Sequence, residues 1–262
     1  MILRTTTNCV ATTMSDEPLR KRALALGMHG LLANWDKVAH EPWVKSLLSW
    51  EECERSQRSL ERRIAVSRLG GFKPLSDFDW NWPTKCDRAL IEELMTLEFI
   101  AEPRNLILMG PSGLGKTMIA QNIIHQALLR GHSAMFLNAS QMLGDMCAID
   151  SPSILRARLN LYARQALLAI DEVGYLSYSS RHADILFQII DKRFQSKATI
   201  VTTNKRFAEW KDTFPGAACV VGMLDRLMQN ADTVQIEGQS YRLKTAKESN
   251  AQRAKLRRER SK

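Results

Sequence analysis

The stretch Asn105–Ala120, NLILMGPSGLGKTMIA, places a short apolar run, a glycine-bracketed loop ending in Lys-Thr and the start of an amphipathic helix side by side. Gly110, Gly113 and Gly115 punctuate a G-x-x-x-x-G-K-T pattern between a strand-like segment and a helix. Glycine suits these positions because backbone N–H groups must approach phosphate oxygens closely, often at positive φ, where a Cβ would clash. The helix that follows turns the partial positive charge of its N-terminus toward the phosphates. Lys116 adds a full charge for the β- and γ-phosphates, and the Thr117 hydroxyl is placed to ligate Mg²⁺. The expected cradle for ATP is therefore Gly110, Pro111, Ser112, Gly113, Leu114, Gly115, Lys116, Thr117 and Met118.

A phosphate loop needs partners to hydrolyse anything. ALLAIDEVG (Ala166–Gly174) is a continuous apolar run ending in two carboxylates. That is the pattern of a central parallel strand buried on both faces, with its C-terminal end at the nucleotide. Asp171 would complete the Mg²⁺ shell and Glu172 would polarise the attacking water as general base. A second β-branched run, ATIVTTN (Ala198–Asn204), ends in an amide that either senses the γ-phosphate or simply terminates a strand, which Asn commonly does. Arg226, in GMLDRLM, is the candidate cation for transition-state charge; the alternative is a surface arginine paired with Asp225 or solvent.

Length and composition set the frame around these motifs. A chain of 262 residues with 45% hydrophobic content can bury one substantial α/β core and carry a small appendage. The formal net charge is +9, and from Lys244 to Lys262 eight Lys/Arg stand against two Glu. So polar a tail buries too little apolar surface to fold alone and reads as a disordered arm, either for an anionic partner or for solubility. The sequence shows neither a membrane-length apolar stretch nor a signal-peptide apolar region, so a cytoplasmic location with no membrane partner is expected. Five scattered cysteines, without a C-x-x-C pair or a histidine at ligand spacing, read as reduced bystanders.

Along the chain, residues 1–16 are polar and patternless, with Met14 an alternative start. Helical periodicity runs from Glu17 to about Ala39 and again from about Pro42 to Leu69. The second helix carries Arg55, Arg58, Arg62, Arg63 and Arg68; these form a cationic face for a phosphate backbone, or a solvated face balanced by Glu51, Glu52, Glu54 and Glu61. LGGFKPLSDFDWNWP (Leu69–Pro83), with paired glycines and two prolines, is the natural domain junction, and its aromatics Phe78, Trp80 and Trp82 either pack on the adenine ring or anchor the linker on the core. A helix over Thr84–Phe99 precedes the core. Alternating strands and helices then imply a parallel sheet with helices on both faces, and DTVQIEGQSYRL, which alternates about a glycine, suggests a terminal hairpin.

Together, LGMHGLL, FKPLSDFDW, RNLILMGPSGLGKT, LLAIDEVGYLSYS, ILFQIIDKRF, TIVTTNKRFAEW and MLDRLMQNADTVQIEGQSYRLK resemble the AAA+ ATPases. More narrowly, the chain is similar to the IstB-type transposition helper ATPases of insertion sequences, relatives of bacterial replicative helicase loaders. The resemblance spans roughly Arg20 to Lys244. It implies an α/β fold, a P-loop AAA+ core behind a small helical N-terminal domain. It assigns Lys116 and Thr117 to phosphates and Mg²⁺, Asp171 and Glu172 to Mg²⁺ and water, and Asn204 to the γ-phosphate. Arg226 would serve a neighbouring subunit. Ser112, Leu114 and Met118 depart from the residues commoner in the family, and none of them removes a group with a chemical role.

The implied layout is a disordered segment 1–16, a helical DNA-binding and assembly domain 17–70, the ATPase domain 71–244 and a basic disordered tail 245–262. The implied activity is a DNA-dependent ATPase that oligomerises with itself on double-stranded DNA and delivers a target to a cognate transposase. A helicase loader gripping single strands and a nucleotide-gated interaction protein with little turnover are the alternatives.

Overall fold

The computed structural model describes residues 19–175, 178–216 and 218–260. The segment expected at 1–16 lies outside them. The chain forms two compact units that meet between Arg62 and Arg63, in the last turns of a long helix, rather than at the glycine pair Gly70–Gly71.

In the first unit, periodicity expected as one helix over Glu17–Ala39 is divided into α1 (Leu19–Ala25), α2 (His29–Ala33) and α3 (Trp35–Val38). Gly27, at φ 61°, supplies the left-handed turn that ends α1. The long helix α4 (Pro42–Val66) follows. Ala23, Leu26, Val44 and Leu48 form the small core, with Leu31, Leu32 and Trp35 packed around it. Arg22 on α1 reaches across to Glu52 on α4 at 2.7 Å.

The second unit begins with the tail of α4 and a loop that belongs to the core instead of linking to it. The Ser67 carbonyl accepts the Phe136 N–H at 2.8 Å, and Asn122 receives the Leu75 N–H while donating to the Lys73 carbonyl. Where one helix was expected over Thr84–Phe99, α5 (Arg88–Leu94) and α6 (Glu98–Ala101) are separated at Leu97, whose φ is 71°.

Five parallel strands follow: β1 (Asn105–Met109), β2 (Ala134–Asn138), β3 (Leu167–Val173), β4 (Ala198–Thr203) and β5 (Ala231–Gln235), in the spatial order β2-β3-β4-β1-β5. The apolar runs of β1, β3 and β4 are buried throughout their centres, as strands covered on both faces must be. Helix α7 (Lys116–Leu129) follows the phosphate loop, and α8 (Ala139–Cys147), α9 (Pro152–Ala163), α10 (Ser180–Arg193), α11 (Trp210–Thr213) and α12 (Val220–Met228) complete the layers.

Two expectations at the C-terminal end are corrected. DTVQIEGQSYRL does not form a hairpin: β5 pairs in parallel with β1, and the chain then turns into α13 (Tyr241–Arg260). The alternation had the right period for β5, an edge strand with one buried face, but gave no information on its partner. The basic tail, expected to be disordered, is the greater part of α13. It contains no Gly or Pro and is rich in Ala, Lys, Arg, Gln and Glu, all good helix formers. Its first turn is fastened to the core, which offsets the unfavourable nucleation step of an isolated helix.

Arg193, at the end of α10, is 1% exposed and shows how the layers are tied together. Its guanidinium donates to the carbonyls of Tyr162, Ala163, Gln165 and Ala198 and to the Thr199 hydroxyl. Burial pulls its pKa down to about 9, so it stays cationic at neutral pH. Arg193→Ala leaves buried carbonyls without donors as well as a cavity, and should lower the stability of the second unit by about 3 kcal/mol or more. Urea unfolding followed by far-UV circular dichroism checks this; a loss below about 1 kcal/mol would show that the carbonyls find other donors.

Candidate functional site

The phosphate loop is shaped by what presses on it from behind. A Cβ on Gly110 would stand 2.1 Å from the Ile236 carbonyl oxygen, one on Gly113 would stand 2.2 Å from Ser240 Oγ, and one on Gly115 would stand 2.4 Å from the Phe78 ring. All three glycines also have positive φ. The spacing therefore meets a packing requirement as well as a conformational one. Lys116 Nζ lies within the cradle, donating to the carbonyls of Gly110 (2.6 Å) and Pro111 (2.8 Å). Burial is the main influence on the Lys116 ammonium and lowers its pKa, with the Arg242 cation adding to the effect while Asp171 and Glu172 oppose it.

Asp171 stands at the C-terminal end of β3, 4% exposed. Its carboxylate accepts the Thr117 hydroxyl (3.1 Å to each oxygen) and the Thr202 hydroxyl (2.6 Å). Burial raises its pKa despite these donors. Just here the ladder between β3 and β4 slips: Ile170 faces Val201 but Val173 faces Thr203, so β3 carries one extra residue. Such a bulge redirects side chains, and Glu172 at φ 62° is the residue it redirects. The Glu172 N–H donates to Thr202 Oγ1 at 2.9 Å, and Glu172 Oε2 accepts from Asn138 Nδ2 at 3.0 Å. Asn138 serves twice, since its Oδ1 also caps α8 at the Gln141 N–H.

These elements open onto one cavity of 440 Å³ whose walls include Ser112–Met118, Glu172 and Asn204 together with Phe78 and Arg242. Gly110 and Pro111 sit behind this wall as carbonyl partners of Lys116. Asn204 Oδ1 is buried without a hydrogen-bond partner, an acceptor a bound water or substrate group would satisfy. The backbone cradle and the buried ammonium fit a nucleoside triphosphate, and the orphaned acceptor fits a water held beside it. Thr117 and Asp171 are hard oxygen donors suited to Mg²⁺, which would also relieve the cost of a buried carboxylate. Of the aromatics offered for the base, Phe78 and Trp82 line the cavity, Phe78 against Gly115, whereas Trp80 lies outside it, tilted against Phe78 and beneath the Arg88 guanidinium.

Arg226 is not part of this cavity. Its Nε pairs with Asp191 at 2.9 Å and its guanidinium lies 4.8 Å over the Phe187 ring, so its carboxylate partner in the chain is Asp191 and not Asp225. On α4, Arg55 and Arg58 pair with Glu51 and Glu54 one turn earlier, at 2.5 and 2.8 Å. Those pairs follow the balanced-face alternative. Arg62 is exposed, and Arg63 donates to the Leu128 carbonyl.

Residues that the sequence patterns did not single out complete the site. Asn138 and Thr202 lie inside strand segments that looked only structural. Tyr241 and Arg242 are brought in by tertiary folding, from a segment whose alternation suggested a hairpin. Tyr175 reaches Ser112, whose hydroxyl donates to the Tyr175 hydroxyl at 3.1 Å.

Comparison with known proteins agrees with this geometry. The family model described as IstB-like ATP binding protein matches residues 13–249. An IS5376 insertion-sequence ATP-binding protein of Geobacillus stearothermophilus is 32% identical over 212 residues, 81% of this chain and 84% of the relative. An IS21 insertion-sequence ATP-binding protein of Pseudomonas aeruginosa is 33% identical over 190 residues, 72% of each. Among solved structures, a DnaI crystal structure superposes with a TM-score of 0.54 at 19% identity, covering 64% of this chain and 92% of that one. The replication initiator DnaA bound to AMPPCP and single-stranded DNA gives 0.51 at 19% identity, over 67% and 56%. At such identities the likeness concerns the fold, a P-loop AAA+ core.

Thr202 offers the sharpest test of the site, because one hydroxyl donates to the Asp171 carboxylate and accepts the Glu172 backbone N–H. Thr202→Val keeps the shape, leaves the Glu172 N–H unpaired and removes the shortest donor to Asp171, raising that carboxyl's pKa further. The Mg²⁺ concentration for half-maximal ATP hydrolysis should rise and the maximal rate fall about tenfold or more, with Thr202→Ser restoring both. Unchanged Mg²⁺ dependence in the valine variant would mean that Thr202 does not set the carboxylates.

Proposed function

Since the chain belongs to the IstB-like ATP-binding proteins, we propose that it is an ATPase that assembles on duplex DNA and delivers target DNA to a cognate transposase. The observation that carries the ATPase reading is the convergence at one mouth of Lys116, the Thr117–Asp171 pair, Glu172 on its bulge and the unpartnered Asn204 acceptor. Phosphoryl transfer is mainly positioning and charge stabilisation, and these groups supply both. Lys116 holds the β- and γ-phosphates, and Asn204 orients the γ-phosphate and the attacking water. The water oxygen bonds to the γ-phosphorus as the bond to the β,γ-bridging oxygen breaks. The water's proton passes to the Glu172 carboxylate, which Asn138 keeps aimed. Mg²⁺, held by Thr117 and Asp171, would neutralise developing phosphate charge.

Support for DNA and transposase partners comes from the relatives' insertion-sequence context and the net positive charge. Arg226 completes the reading as a cation for the site of a second copy. A finger acting in trans must first leave Asp191 and Phe187, so subunit contact and hydrolysis are coupled. An arginine finger contributes on the order of 10³ to 10⁵ in rate where it has been dissected, so dispersed subunits should be nearly silent.

ATPase rates measured without DNA, with duplex and with single strand, over a range of protein concentrations, test the readings of ATP hydrolysis and of assembly on duplex. Stimulation by duplex and specific activity that climbs with concentration are expected. Stimulation by single strand alone would point to a helicase loader, and absence of turnover in every condition to a nucleotide-gated interaction protein.

A further inference from the structure

With Arg55 and Arg58 paired on their own helix, the charge surplus is concentrated elsewhere. Helix α13 carries eight Lys/Arg against two Glu, and its 20 residues extend for about 30 Å. Arg253 and Arg257, one turn apart, are both exposed. A solubilising tail needs no fixed origin, yet this helix starts from the phosphate loop. The Tyr241 N–H donates to the Gly113 carbonyl at 2.9 Å, and Ser240 fills the space against Gly113 that a side chain there would take. Trp82 donates through Nε1 to the Gln239 carbonyl at 2.7 Å and packs on Tyr241, with ring centroids 6.0 Å apart. Lys244 lies 4.2 Å above the Trp82 ring and 3.6 Å from the Asp79 carboxylate. Tyr241, Arg242, Trp82 and Asp79 all line the nucleotide cavity.

We propose that α13 is a cationic arm that binds the phosphate backbone of duplex DNA, and that a nucleoside triphosphate in the adjoining cavity strengthens this grip by fixing the helix's first turn. The proposal rests on the ATP-site and duplex-DNA readings above and adds the physical link between them. The sign follows from charge. Arg242 and Lys116 both line the cavity, so two cations face the same space and repel one another. A polyphosphate between them turns that repulsion into attraction toward a common anion and holds Arg242, hence the start of α13, in place. A helix held at its root loses less conformational freedom on meeting a duplex. Linkage then requires the reverse effect: duplex DNA must tighten nucleotide binding by the same factor.

The test is the affinity of a fluorescent, non-hydrolysable ATP analogue with and without a mixed-sequence duplex. Three proteins are compared: the full chain, a chain ending after Lys247, and the full-length double variant Arg253→Glu, Arg257→Glu. The shortened chain keeps every cavity contact, and the double variant keeps the helix, which circular dichroism verifies. Duplex should tighten the analogue roughly fivefold to a hundredfold in the full chain, the usual size of such couplings. Both altered proteins should bind the analogue alone as the full chain does, yet respond to duplex by less than about twofold, and their duplex affinity should depend less steeply on salt. Equal tightening in all three proteins, or a full chain that binds both ligands with no mutual effect, would overturn the inference while leaving the ATPase reading intact. A full chain that does not bind duplex would overturn the inference together with the DNA reading. Failure of the analogue to bind any of the three would overturn the ATP-site reading and the inference with it.

Discussion

The close approach of the phosphate loop to the backbone and side chains behind it is the constraint on which the remainder of the second unit depends. Three glycines are needed not only so that amides can face a polyphosphate but because Ile236, Ser240 and Phe78 occupy the space their side chains would fill. The contacts come from opposite ends of the unit. Phe78 precedes the sheet, and Ile236 and Ser240 follow its last strand. The loop is thus the place where the two ends of the domain meet, and a change in its conformation is felt by both.

A second feature gives the site its chemistry. A carboxylate as buried as Asp171 is costly unless its charge is compensated, and the hydroxyls of Thr117 and Thr202 go only part of the way, since burial still raises its pKa. The remaining deficit is what a divalent cation would relieve. The one-residue bulge between Ile170 and Val173 places Glu172 in a left-handed backbone conformation, where Asn138 holds its carboxylate at the cavity wall. Adjacent acidic residues in a regular strand would point to opposite faces; the bulge alters that arrangement at a local backbone cost.

Much of this was legible in the sequence for a physical reason. The loop from Gly110 to Thr117, the buried run ending in Asp171 and the β-branched run ending in Asn204 are local patterns, in which neighbours in sequence do the work together. Asn138 and Thr202 act through partners some thirty positions away, Glu172 and Asp171 respectively, and nothing in their own neighbourhood marks them. The end of the chain was misread for a related reason. Alternation about Gly238 identifies a half-buried strand without saying that its partner is β1, and the polarity of the tail suggested disorder because its anchorage on the loop is a tertiary fact. Arg226 shows the same limit: its partners Asp191 and Phe187 lie on α10, before β4 and α11 in the chain.

Whether the cradle reads phosphates is asked directly by equilibrium titration of the full chain with ATP, ADP and AMP. Because Lys116 and the loop amides would contact the β- and γ-phosphates, ATP and ADP should bind far more tightly than AMP, by roughly a hundredfold or more, and Lys116→Ala should erase most of that difference. Comparable affinity for all three nucleotides, unaffected by Lys116→Ala, would contradict that reading of the cradle.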